Sequence, residues 1–239
     1  MGTAERKARE RQERQRLILD TAHVILVEHG YLGLTVDRIA EAIEYSKGTV
    51  YQHFTSKEEI VVALANRLHQ DFLPVLASAL AYPGRPRERL YAGMVLLILM
   101  YANHPELALF ESIGIEPSIW SKASDEERES QRGVIDAYYR NTQSLVTEAV
   151  EKGDFHAPDW QVSEILMSLW SVAFGNRLLT FQLSQTHKGA NWLPDGYFDY
   201  TTRIVGAFLD GIGWRPLAAD RNYGEIERWV KTDLPANCP

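Results

Sequence analysis

The residues of this chain best equipped for chemistry stand between positions 35 and 57. Ser46, Lys47, Gly48, Thr49, Tyr51, Gln52 and His53 form one polar run, with Thr35 before it and Lys57 after it. They include no paired carboxylates and no activated nucleophile. They are hydrogen-bond donors: hydroxyls, an ammonium, an imidazole and a carboxamide that donates and accepts at once. Such a set suits a polyanion that carries base edges. Hydroxyls, lysines and backbone N–H groups meet phosphates, while a carboxamide such as Gln52 matches an adenine edge. Gly48 has no side chain, so the backbone there can come close to a duplex.

These residues need rigid elements to aim them, and the hydrophobic spacing predicts helices. Ile18, Ala22, Ile25 and Leu26 make an apolar stripe on a helix from about residue 8 to His29, which Gly30 stops. Thr35 is placed to cap a short helix with Val36, Ile39, Ala40 and Ile43 inward and Asp37 in its first turn. After a turn at Glu44-Tyr45, Ser46 caps a second short helix to about Phe54, with Val50 and Phe54 facing the core. Ser56-x-x-Glu59 reads as a capping box opening a long helix to about Ala81, kinked at Pro74. Lys57, in its first turn, would meet a phosphate beside free backbone N–H groups. Two short helices across a tight turn, behind a longer one, make a helix-turn-helix.

The order Ile18-Leu19-Asp20-Thr21-Ala22, Glu28-His29-Gly30-Tyr31, Thr35-Val36, Ile39-Ala40, Ser46-Lys47-Gly48-Thr49-Val50-Tyr51, His53-Phe54 and Ser56-Lys57-Glu58-Glu59 resembles the tetracycline-repressor (TetR) family of bacterial transcriptional regulators. The match covers about residues 15–62; beyond it the likeness lies in the number and order of helices. The resemblance implies an all-α fold: an N-terminal three-helix DNA-binding domain and a C-terminal helical domain for ligand binding and dimerisation. The expected boundaries are 1–62, 63–213 and a tail at 214–239, where Ile226, Trp229 and Val230 suggest a short docked helix. The family has a small residue and then glycine where this chain has Ile43-Glu44-Tyr45. Glycine there relieves a positive φ, so Glu44 is expected to cost on the order of 1 kcal/mol.

Past residue 82 the pattern stays helical. The break Pro83-Gly84-Arg85-Pro86 precedes helices at about 87–104 and 105–114. Ser124-x-x-Glu127 is a second capping box, opening a helix to Lys152 that Gly153 ends. Helices at about 159–183 and 196–211 follow. The first of these is apolar nearly all round and so is expected to be buried from several sides. Two such helices from each of two protomers would form a four-helix bundle, although a monomer core could use the same residues.

A C-terminal sensor would take its effector from inward faces of the middle helices. Phe72 and Leu76 lie on one helix, Met94, Leu97 and Tyr101 on the next, with Phe110 and Trp120 after them. Tyr138 and Thr142 follow on a third helix, and Trp170, Phe174 and Arg177 on a fourth. An aromatic and methionine lining suits an apolar or planar molecule, though aromatic stripes are also ordinary core. Asn141, Gln143, Asn176 and Arg177 are polar groups beside the stripes, and an inward Arg177 would favour an anion or a buried carboxylate partner. Effector binding would then shift helix 57–81 and change the spacing of paired recognition helices. Those should read half-sites of a palindrome about 34–36 Å apart, or a multiple of that.

The charge of the whole chain, −7 from 25 basic and 32 acidic residues, looks unfavourable for DNA. By region the picture changes. Residues 1–70 hold ten basic and ten acidic side chains, while residues 71–239 hold 15 and 22. The arm from Arg6 to Arg16 can track a phosphate backbone or enter a minor groove. Catalytic signatures are missing: Glu-x-x-His pairs, His-Glu-x-x-His, Gly-x-Ser-x-Gly and the phosphate-loop pattern. No cofactor and no metal are expected. The single cysteine, Cys238, provides no intrachain disulfide. The charged N-terminus lacks an export signal, and the longest apolar run, Met94–Tyr101, falls far short of the roughly 20 residues of a membrane span. The expectation is a cytoplasmic homodimer that binds double-stranded DNA and a small effector and does not engage membranes. A helical protein-interaction module and a TetR-like activator without an effector remain open as alternatives.

Overall fold

The computed structural model describes residues 2–104, 107, 112–113, 116–156, 160–187, 196–220 and 223–234. Among the described residues the fold is all-α: α1 Thr3–Gly33, α2 Val36–Ala42, α3 Lys47–Tyr51, α4 Lys57–Leu80, α5 Pro86–Asn103, α6 Pro117–Trp120, α7 Asp125–Glu151, α8 Val162–Thr186, α9 Tyr197–Gly211 and α10 Tyr223–Thr232. The chain divides into two compact units, Met1–Leu68 with Phe110–Gln131, and His69–Leu109 with Arg132–Pro239. The first unit thus runs past the expected limit at 62 and recruits residues distant in sequence.

In the first unit α1 begins five residues earlier than its apolar stripe suggests. Its solvated N-terminal half is knitted by four-residue charge pairs: Arg6–Glu10 and Arg9–Glu13, both 3.6 Å, and Arg14–Glu10 and Arg16–Asp20, both 3.7 Å. Each adds a few tenths of a kcal/mol, about 0.2–0.5, which extends the helix outward without burial. The inward stripe is where the spacing puts it, with Ile18, Ala22, Ile25 and Leu26 buried. Gly30 breaks the helix at φ 66°, and one further turn follows to Gly33.

Thr35 caps α2 by accepting the Arg38 N–H at 3.2 Å, and Val36, Ile39 and Ala40 are buried. The turn closes through the Tyr45 N–H on the Ala40 carbonyl, 2.9 Å, with Glu44 at φ 57°. The positive φ expected there is therefore present, without glycine to relieve it. Helix α3 is shorter than expected, ending at Tyr51 instead of Phe54. Turn-type bonds from His53 and Phe54 to the Val50 carbonyl carry the chain onward. At the head of α4, Ser56 Oγ accepts the Glu59 N–H at 3.1 Å. Half of the expected capping box goes elsewhere: Glu59 accepts the Thr55 N–H and hydroxyl, at 2.6 and 2.7 Å, one residue before the cap. Pro74 sits inside α4 without ending it.

In the second unit α5 is the central element, packing against α8, α9 and α10. It is buried along almost its whole length, from Pro86 to Tyr101. Its first turn carries a buried arginine. Arg87 donates to the carbonyls of Trp214 and, at 3.1 Å, Gly206, and pairs with Asp210 at 2.5 Å. Its guanidinium lies 5.4 Å from the Tyr223 ring. The chain after α9 is pinned further by stacking of Phe155 on Trp214, 4.9 Å between centroids. The predicted tail helix is α10, with Ile226 and Val230 buried, Trp229 edge-on to Tyr82, and Glu227 accepting the Tyr91 hydroxyl at 2.8 Å.

In helix α8 of the single protomer, Ile165, Leu169 and Ala173 form the buried line, while Met167, Leu179 and Phe181 are exposed. The four-residue step of that line is one helix face.

Candidate nucleic-acid interface

Helix α3 is only five residues long, too short to stand by its own hydrogen bonds, so its pose depends on its ends and its inner face. Ser46 Oγ accepts the Thr49 N–H at 3.1 Å and shares a hydrogen with Thr49 Oγ1 at 2.9 Å. On the inner side Val50 and Phe54 are fully buried. With the helix held at both places, the remaining side chains face water. Thr35, Ser46, Lys47, Gly48, Tyr51 and Gln52 are all exposed, and Thr49 is half-buried. A Cβ built on Gly48 would meet only Ser46 Oγ, at 3.6 Å, an ordinary contact. Nothing among the described residues requires glycine there.

The charged members are not idle. Lys47 Nζ lies 2.6 Å from Asp37 Oδ2, so the lysine of the recognition run already holds a carboxylate from the first turn of α2. Lys57 Nζ sits 4.2 Å above the Tyr31 ring. Asp37 and Glu41 on α2 and Glu44 in the turn are exposed on the same stretch. His53 differs from its neighbours. It is half-buried, and its Nδ1 is buried with no hydrogen-bond partner. Burial, with the charges of Arg11 and Arg14 behind it, pushes its imidazole below the usual value. A neutral imidazole donates one N–H and accepts at its other nitrogen.

The residues expected to line an effector site fall into several settings. In the second unit, Phe72, Leu76, Met94, Tyr101 and Thr142 are buried, while Leu97, Tyr138, Trp170, Phe174 and Arg177 are half-buried. Tyr138 Oη lies 3.2 Å from His69 Nδ1, and Thr142 spends its hydroxyl on the Tyr138 carbonyl at 3.0 Å. Burial holds His69 neutral, its imidazole pushed down to about 4. Trp170 and Phe174 stack at 6.1 Å, one turn apart on α8. Arg177 stands 5.6 Å from the Tyr197 ring, whose hydroxyl donates to the Ala173 carbonyl at 2.9 Å. Trp120 is not with them. It belongs to the first unit, packed on the cluster of Val62, Ile119 and Ala123. Phe110 lies outside the described residues. Sequence reading passed over His69 and Arg87, since a polar residue in a helical run carries no sign of its long-range partners.

Comparison with known proteins agrees with this geometry. A family model described as "Bacterial regulatory proteins, tetR family" matches residues 18–64, which span the end of α1, the helix-turn-helix and the start of α4. The chain is 32% identical over 114 residues, 46% of its length, to the uncharacterized HTH-type transcriptional regulator TtgW of Pseudomonas putida, and covers 78% of that protein. It is 26% identical over 136 residues, 54% of its length, to the HTH-type transcriptional repressor AcnR of Corynebacterium diphtheriae, spanning 65% of that repressor. Among solved structures it is similar to the transcriptional regulator FadR from Bacillus subtilis in complex with stearoyl-CoA. That likeness has a TM-score of 0.62 at 17% identity, over 82% of this chain and 98% of that one.

Proposed function

The chain belongs to the tetR family of bacterial regulatory proteins, and on that premise we propose that it is a dimeric, sequence-specific regulator that represses transcription until a small, largely apolar or aromatic effector releases it from a palindromic operator. The observation that carries the reading is the construction of α3. A five-residue helix is fixed by a serine cap and two buried apolar side chains, and its remaining face is polar, exposed and led by a glycine. Thr35, Ser46, Lys47, Thr49, Tyr51, His53 and Lys57 then serve as phosphate or base-edge donors, Gln52 reads an adenine, and Gly48 lets the helix approach.

The exposed Met167 and Leu179 on α8 support a homodimer, because apolar side chains exposed in one protomer can be covered in a four-helix bundle between two. Two protomers present two recognition helices, which fits a palindrome with half-sites about 34–36 Å apart. The effector is placed in the second unit among Phe72, Met94, Tyr138, Trp170 and Phe174, with Arg177 to orient it. Helix α4, with residues 57–68 in the first unit and 69–80 in the second, carries the response. A coupling of about 1–3 kcal/mol would change DNA affinity some 5- to 150-fold. Among the described residues no helix is long and apolar enough to cross a membrane, and we place the protein in the cytoplasm with its DNA.

Selection of bound duplexes from a random pool by the full chain tests the reading. A shared palindrome is expected, and Lys47→Ala and Tyr51→Ala should each weaken its binding. If no duplex is enriched, or if neither variant weakens binding, the recognition-helix assignment is wrong.

A further inference from the structure

Lys57 opens α4 at the edge of the recognition surface, and its ammonium rests on the face of Tyr31, 4.2 Å from the ring centroid. Tyr31 is held in turn. Its hydroxyl donates to Glu58 Oε1 at 3.3 Å, and the same oxygen receives Lys122 Nζ at 3.0 Å. One carboxylate oxygen therefore ties the last turn of α1, the first turn of α4 and the turn that follows α6. Burial by itself would raise the Glu58 carboxyl, but the bonds from Lys122 and Tyr31 outweigh it and keep the group ionised.

The grip continues along α4. One turn past Glu58, Val62 packs with Ile119 and Ala123. One turn further, Asn66 Nδ2 donates to the Glu127 carbonyl at 2.8 Å and to its carboxylate at 2.6 Å. Glu58, Val62 and Asn66 stand four residues apart, so a single stripe about 12 Å long holds residues 119–127 by a charge, an apolar contact and an amide in turn. Lys122 is thereby fixed in place by the contacts on either side of it, and Glu58 has a partner of defined position.

We propose that Lys122 is a positioning residue for DNA binding: through Glu58 it fixes the Tyr31 ring, and that ring holds Lys57 where it meets a backbone phosphate. The inference rests on the reading of the chain as a DNA-binding regulator. It assigns a part in DNA affinity to the segment between α6 and α7.

The test uses the full chain and a duplex of about 30 base pairs enriched by selection, with affinity measured by fluorescence anisotropy across a salt series. Lys57→Ala should weaken binding and lower the slope of log affinity against log salt by about 0.9 for each phosphate left without its cation. Lys122→Met is expected to weaken binding about three- to tenfold with the same fall in slope, and Lys122→Arg to restore both. Tyr31→Phe, which keeps the ring and removes only its bond to Glu58, should behave as Lys122→Met does. In a Lys57→Ala background neither change should cost anything more. Unaltered affinity and slope in Lys122→Met overturn the proposal. So does an equal drop in affinity in both backgrounds, which marks a merely structural role. Should Lys122→Met melt early, the Tyr31→Phe cycle decides by the same criteria. Wild-type protein that binds no duplex overturns the functional reading before any variant is made.

Discussion

The Lys47–Asp37 pair of the first unit and the Arg87–Asp210 pair of the second are almost equally short, 2.6 and 2.5 Å, and lie in opposite surroundings. The side chains of the first are 60% and 64% exposed, those of the second 0% and 35%. An ion pair in water gains little and exchanges partners cheaply, with a typical worth of about 0–1 kcal/mol. A buried arginine with a carboxylate and two carbonyls cannot lose one partner without stranding the others, at about 3–5 kcal/mol. The same chemistry therefore makes a loosely held contact in one place and a fixed joint in the other. The difference is one of burial and not of distance.

The largest effect that can break this comparison is at the joint. Arg87→Met takes the guanidinium from the carbonyls of Trp214 and Gly206 and leaves Asp210 with the Ala218 N–H. Thermal unfolding should report a loss of about 3–5 kcal/mol, a melting temperature lower by about 6–20 °C. A change under a degree would mean the pair is no tighter than a surface one. Next comes acid. Unfolded His69 takes its proton near 6.5 and folded His69 near 4, so its contribution is whole above pH 6.5 and lost as the pH falls toward 4. The loss across that window is on the order of 3 kcal/mol, and His69→Leu should flatten it in melts taken between pH 4 and 7.

On the exposed side the effects shrink. Glu44→Gly removes the penalty of φ 57° and should raise stability by about 0.5–1 kcal/mol, or about 1–4 °C in the melting temperature. The smallest expected change in stability is that of Asp37→Asn, within about 0.5 kcal/mol either way. Its signature lies in binding: with Lys47 released and a negative charge gone from the surface, affinity for duplex DNA should rise severalfold, most at low salt. Unchanged affinity would show that Asp37 does not compete with phosphate.

What could be read in the sequence follows the range of the interactions involved. The caps at Thr35 and Ser46 and the stop at Gly30 are set by residues within four positions, and local spacing discloses them, whereas the strained turn at Glu44 is legible only through the resemblance to a family with glycine there. The buried side of α3 was equally legible, since Val50 and Phe54 are one turn apart. Arg87 was not, because its acceptors stand 119 and 127 residues away. For the same reason the setting of Trp120 could not be foreseen. An aromatic in a short helix carries no mark of which unit will bury it, and the packing with Val62 that decides the matter spans the whole of α4 and α5. Helix α8 shows the converse limit: composition made it apolar on every side, and only packing within the protomer distinguished the buried line from the exposed residues.

A first unit assembled from two stretches of chain has a consequence for how the protein is made. A ribosome releases Leu68 about sixty residues before Gln131, an interval of about 3–13 s at 5–20 residues per second. Through that interval the nascent helix-turn-helix has Val62 bare of Ile119 and Ala123, Glu58 without Lys122, and Asn66 without Glu127. Completion of the first unit must wait until residues 69–109 of the second have been made.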